Sequence, residues 1–432
     1  MTSRLKILIT SVLGILLLVI TVVYISNRQQ TIISPTAVDI TSSSLERRIF
    51  LFTEDINKNP KNVQSYLSLA GLYIQQIRET GDVSYNSKIN YFMQKAIKLD
   101  SNNSDIYAVL ANIELSNHNF AEGKKQALKA IELNPNKDYY YGLLGDAQNE
   151  LGEYDEARKS LQKMVDMRPG FGSYSRIAYI RELHGDIPGA KQALLFAIDA
   201  GSSYKENIAW AYNELGKLES RTHPTIAKQH FEKALELFPD YPKALDELGK
   251  AAFFDGNEKK AEEYFKKAYE KLANAETATS LGDFYFITDK KDEAKKYYNL
   301  AEAAYTSAKK INSNVDYEES SFLLERDLNI DSSFTQAEKA YSHRQNIFTA
   351  DNLSWAYYKK GNYEKANEYS KIALSLGKND PTILYHQGAL LIKNGKTKEG
   401  RELLLLSLKM NPRSSMINVK HIQNIQSDSG LL

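Results

Sequence analysis

At 432 residues the chain exceeds what one hydrophobic core usually holds, so it must be built from several domains or from an array of repeats. Its 55 basic and 54 acidic side chains nearly cancel, which argues against the broad basic face of a nucleic-acid binder and leaves room only for a local patch. No cysteine occurs, which excludes disulfides, a thiol nucleophile, cysteine-ligated zinc and a lipid-modified N-terminal cysteine.

Taken in order, residues 1–26 read as an N-terminal transmembrane signal-anchor. Arg4 and Lys6 precede an uncharged run, Ile7–Ile25, that as a helix is about 28 Å long against a hydrocarbon core of roughly 30 Å. The run is longer than a usual signal-peptide apolar region, and no A-x-A-like cleavage site follows it. Positive charge is heavier before the run than just after it, which predicts a single-pass membrane protein with a cytoplasmic N-terminus and the rest of the chain outside. The lipid bilayer is thus an expected partner through residues 7–25. Residues 27–44 have no helical period, contain Pro35 and are rich in Ser and Thr, so they are expected to be a flexible tether with a span of about 25 Å. In residues 45–60, Leu45, Ile49, Phe52 and Ile56 share one helical face and Pro60 stops the pattern, which predicts a single capping helix.

Residues 61–412 form the array. Tyr241–Ala268 shows its unit: two amphipathic helices around Gly256-Asn257, with small or apolar residues at Leu245, Leu248, Gly249, Ala252, Ala261, Phe265 and Ala268. One position in the second helix recurs at Ala96, Ala130, Met164, Ala197, Ala234, Ala268, Ala301, Ala373 and Ser407. Successive members lie 33 to 37 residues apart, apart from a gap of 72 after Ala301 that fits two units. A degenerate unit is therefore expected around Tyr317–Arg344, with Phe322, Leu323 and Tyr341 as its weak core, making ten repeats. Prolines obey the same ruler: Pro188, Pro224, Pro242 and Pro381 fall at predicted first turns, and Pro135, Pro169, Pro239 and Pro412 fall beyond second helices. Gln76–Lys88 and Ala200–Asn207 are expected to be lengthened loops, and residues 413–432 a C-terminal capping helix and tail.

With these residues in view the chain resembles the tetratricopeptide-repeat family over roughly residues 62–412, most closely in Tyr141–Pro169, Tyr241–Ala268 and Asn352–Ala373. Together with the N-terminal run, the resemblance is to membrane-anchored bacterial members. It implies an all-α, right-handed solenoid of about ten helical hairpins whose inner face, formed by first helices, binds proteins or peptides. The implied work is scaffolding or recruitment, in envelope assembly or a similar setting. The family's acidic-tail clamp is not supported, because Leu67, Gly71 and Ala108 stand at three of its polar positions, with Asn112 at the fourth. The cysteine-rich zinc module of its lipopolysaccharide-regulating members is absent too.

No catalytic domain fits beside the array, the seven histidines show no metal-ligand spacing, and no phosphate-binding glycine motif occurs. The expectation is a non-enzyme with no cofactor and no metal. Aligning the repeats places Tyr179, Asn213, Lys217, Asp246, Lys250, Phe254, Asp283, Trp355, Tyr358 and Tyr385 at groove-lining positions. Aromatic anchors flanked by amides and charges compose a protein-recognition surface, while the same residues could instead pack between repeats. Their alternating charge predicts a partner of mixed polarity and no nucleic acid. Two other readings are a soluble exported binding protein, released by cleavage near Ser26, and an enzyme with a site concealed in the groove.

Overall fold

The computed structural model describes residues 44–202, 204–311, 313–413 and 415–427. Among them are twenty-two α-helices and no strand. Helix α1 (Leu45–Lys58) leads into ten antiparallel hairpins. The first five pair α2 (Val63–Thr80) with α3 (Tyr85–Leu99), α4 (Ser104–Ser116) with α5 (Phe120–Leu133), α6 (Asp138–Glu150) with α7 (Tyr154–Met167), α8 (Phe171–Leu183) with α9 (Ile187–Ala200), and α10 (Lys205–Ser220) with α11 (Pro224–Leu237). The next five pair α12 (Pro242–Phe254) with α13 (Glu258–Lys271), α14 (Ala275–Ile287) with α15 (Lys291–Lys310), α16 (Asp316–Glu325) with α17 (Ile330–His343), α18 (Ile347–Lys359) with α19 (Tyr363–Ala373), and α20 (Pro381–Lys393) with α21 (Thr397–Met410). Helix α22 (Met416–Ser427) closes the array. Ten hairpins therefore understate the helical content, because α1 and α22 add an unpaired helix at each end.

The periodic pattern works through close packing inside each hairpin. In the sixth, a Cβ on Gly249 of α12 would come within 2.8 Å of the Phe265 ring on α13, so only glycine lets the two helices approach around that side chain. Phe265 is almost wholly buried, and a buried phenylalanine is worth about 2–3 kcal/mol of apolar transfer. The recurring small position also has a local role: the C-cap N–H donates to the carbonyl of Ala96, Ala130, Met164, Ala234, Ala268 and Ser407 in their respective helices. In the degenerate eighth hairpin Ala340 accepts the same bond from Arg344. Prolines 188, 224, 242 and 381 occupy first turns, where their missing N–H costs nothing. The loop expected at Gln76–Lys88 shrinks to residues 81–84, because α2 and α3 take up the remainder.

The membrane expectation is corrected. No helix among the described residues is long and apolar enough to cross a membrane, and a single-pass placement is not supported. The longest helix, α15, reaches twenty residues but carries charge at both ends and in between, from Lys291-Asp292-Glu293 to Lys309-Lys310. The run Ile7–Ile25 and the tether expected at 27–44, except for its last residue, lie outside the described residues.

Superhelical winding brings distant hairpins into contact. Arg344, just after α17, pairs with Glu150 at the end of α6 and with Glu318 of α16 at 3.3 Å. Asn346 Nδ2 donates to the Glu150 carbonyl at 3.1 Å, and the Ile347 N–H donates to the Tyr154 hydroxyl at 3.0 Å, across 193 residues of chain. The Asn314 N–H donates to the Asn117 carbonyl at 2.8 Å. At the turn of the third hairpin Gly152 rests against the Gln345 carbonyl, and at the end of the array Arg413 pairs with Asp255 at 2.9 Å. These contacts form a seam between successive superhelical turns, so the first helices of well-separated hairpins face one another across an enclosed interior.

Candidate functional site

That interior is lined by first helices, and their order along the chain sets which side chains meet. Tyr179, Glu182 and Leu183 of α8 and Glu214 and Lys217 of α10 line a cavity of about 240 Å³ whose opposite wall is Ile347 and Phe348 of α18. Toward the N-terminal side Tyr179 also borders a cavity of about 490 Å³ with Asp146, Arg176 and Trp210. Toward the C-terminal side Phe348, Asp380 and Ile383 lead into a cavity of about 620 Å³, lined from α12 by Lys250, from α14 by Asp283, from α16 by Tyr317 and Glu318, and by Arg326 just after α16. Tyr305, in the part of α15 that runs past the length of the other second helices, reaches the same space.

Four of the ten expected residues border these cavities. Tyr179 remains 39 % accessible, yet protein encloses it closely enough that burial raises its phenol pKa. Lys217 donates to Glu214 at 2.8 Å. Burial works against its charge, but the Glu214 carboxylate outweighs that and holds its pKa up. Lys250 sits between Asp246 at 2.9 Å and Glu247 at 3.0 Å. Asp283 takes a two-pronged guanidinium contact from Arg326, at 2.7 Å from Nε and 2.6 Å from Nη2, and accepts the Tyr298 hydroxyl at 2.9 Å.

The other six line none of these three cavities. Trp355 is 3 % accessible, stacked 4.2 Å from His386 and 4.4 Å from Tyr358 in the core of the last hairpins. Tyr385, 2 % accessible, is held by the same cluster, its hydroxyl 2.8 Å from His421 Nδ1. Tyr358 and Phe254 are half-buried against core clusters, and Asn213 and Asp246 are buried. Repeat alignment assigns the face of a helix; whether the next superhelical layer or a neighbouring hairpin covers that face depends on winding, which an alignment of units does not contain. Sequence reasoning missed Glu182, Arg326, Phe348 and Asp380 for the same reason. Asp380 carried one faint sign, its place directly before the helix-starting Pro381, where its Oδ1 accepts the N–H of Thr382 and Ile383.

The expected alternation of charge is present as pairs: Arg176 with Asp146, Lys217 with Glu214, Lys250 with Asp246 and Arg326 with Asp283. No group of three or more metal-ligating side chains is gathered among the described residues.

Family comparison agrees with the repeat geometry. Residues 109–170 and 218–276 match one tetratricopeptide-repeat model, and residues 275–313 match a second. The chain contains tetratricopeptide repeats. No curated protein matches it. Among solved structures it is similar to PilF of Pseudomonas aeruginosa, at 20 % identity over 45 % of this chain and 88 % of that one with a TM-score of 0.38. It is similar to human IFIT1, at 20 % identity over 73 % of each chain with a TM-score of 0.43. Yeast Tom70 aligns over 90 % of this chain and 96 % of its own, at 13 % identity and a TM-score of 0.39. None of the three carries a partner or an overall shape over to this chain.

Proposed function

We propose that the protein is a binding scaffold whose inner face holds an extended segment of a partner protein or peptide. The observation that supports it is the run of three adjoining cavities along the first helices, joined at Tyr179 and at Phe348–Asp380, with an accessible aromatic ring beside pre-paired charges. A preformed concave surface binds without a large ordering cost, because its side chains are already held by their neighbours. Tyr179, Lys217, Lys250 and Asp283 are the contact residues in this reading, and no catalytic step is assigned to them.

A peptide library selected against the full chain tests it. Selected peptides are expected to lose binding on Tyr179→Ala or Lys217→Glu and to keep it on Tyr91→Ala, which alters an exposed ring on α3 away from the interior. Binding that survives both inner changes and falls with the outer one would move the site off the inner face.

A further inference from the structure

The 620 Å³ cavity has a charge imbalance that its ion pairs do not remove. Six carboxylates line it against two cations, Lys250 and Arg326. Arg326 is matched by Asp283, and Glu318 is held by Arg344 at 3.3 Å and His118 at 3.2 Å, but Lys250 is shared by Asp246 and Glu247. Glu325 and Asp351 share one imidazole, that of His386, at 2.8 and 2.7 Å. Glu276 has no cationic partner among the described residues, and Asp380 has only backbone N–H groups. Burial pushes the Asp380 carboxyl up.

A second observation is independent of charge. Asn418, on α22, lines the same cavity, is 6 % accessible, and its Oδ1 receives no hydrogen bond. The Thr279 hydroxyl in the cavity wall is also unpartnered. A buried carbonyl without a donor costs about 1–3 kcal/mol, so a group bringing N–H donors into this space would be favoured twice, by charge and by hydrogen bonding. Tyr305, Tyr317 and Phe348 supply aromatic wall for the methylene stems behind such a head group.

We propose that this cavity receives the lysine and arginine side chains of a basic peptide segment, a specificity that rests on the scaffold reading above. The overall charge of +1 makes non-specific attraction of cations weak, so capture of a basic peptide must be local. The carboxylates are spread over α14, α16, α18 and the start of α20, a spacing that suits several cationic groups along an extended chain better than one compact ion.

Fluorescence anisotropy of the full chain with a short labelled Lys/Arg/Gly peptide, and with counterparts carrying Gln or Glu in place of the basic residues, tests the inference. The basic peptide is expected to bind and the other two not. Glu276→Lys, at an exposed position, should weaken it by about tenfold at low salt and less at high salt. Asn418→Ala should weaken it by about three- to tenfold while circular dichroism stays unchanged. Equal binding of basic and neutral peptides, or indifference to both substitutions in a folded protein, overturns the proposal. So does spermine binding that the basic peptide fails to displace, since that would make the site one for a free polyamine. Binding of the neutral or acidic peptide that Lys217→Glu abolishes would leave the scaffold reading standing and remove this one. Failure of all three peptides, with an empty library selection, would remove both.

Discussion

Gly152 and Gly256 occupy the same turn in the third and sixth hairpins, with nearly the same left-handed backbone, φ +79° and +77°. Beyond that they differ completely. A Cβ on Gly256 would meet open space, whereas one on Gly152 would overlap the Gln345 carbonyl on the next superhelical turn. The repeat pattern demands glycine at both places for conformation, but only one of them also holds the seam. Equal local structure therefore conceals unequal energetic roles, and the seam is what converts an open spring into an enclosed interior.

Arg344 is expected to be the most costly seam residue to lose. Arg344→Ala leaves Glu150 without its cation and Glu318 with only His118, in a largely buried place, and removing one partner of a buried ion pair costs about 3–5 kcal/mol. Denaturant unfolding would show this as a lowered midpoint. Small-angle scattering would show a larger radius with helix content unchanged, as the turns part while the hairpins persist.

Gly152→Ala should follow. Left-handed strain costs about 1–2 kcal/mol, and forcing the Gln345 backbone away adds about 1–3 kcal/mol of overpacking. Gly256→Ala should cost only the strain, about 1–2 kcal/mol. The difference between the two midpoints measures the seam directly; equal values would mean that the superhelical turns do not support each other in solution.

A pH experiment sharpens the contrast between the seam and the C-terminal core. Burial opposes charge on His386, but Asp351 and Glu325 outweigh it and raise its pKa to about 10 in the folded protein, against 6.5 for a free imidazole. Proton uptake is then stronger in the folded state, so this stabilisation is fully present below pH 6.5 and is lost as pH rises toward 10. Thermal melts of the parent should fall across that window, and those of His386→Gln should fall less. At the other extreme, Lys125→Ala breaks only an exposed pair with Glu122 on α5, and its melting curve should superimpose on the parent.

Trp355 and Tyr179 show how far the sequence can be read. Both sit on first helices at positions that repeat alignment assigns to the groove, and both are large aromatics. In the structure Tyr179 borders the interior, while Trp355 is stacked between His386 and Tyr358 and packed under the last hairpins. Spacing predicts which helical face a residue occupies, because that depends on 3.6-residue geometry and on neighbours within a few turns. It is silent on what lies across that face.

The sequence by itself determined the hairpins: Gly249 against Phe265, the prolines at first turns and the recurring small position are all interactions within one unit or between adjacent ones, so they leave a period near 34 residues in the chain. Only the tertiary structure decided which first-helix residues meet one another, because the pairing of Glu150 with Arg344 spans 194 residues and arises from small rotations accumulated over many hairpins. Such contacts involve single residues at unrelated places in the repeat and leave no period to read. The enclosure of the interior, the concealment of Trp355 and Tyr385, and the excess of carboxylate around Asp380 all follow from that accumulated winding.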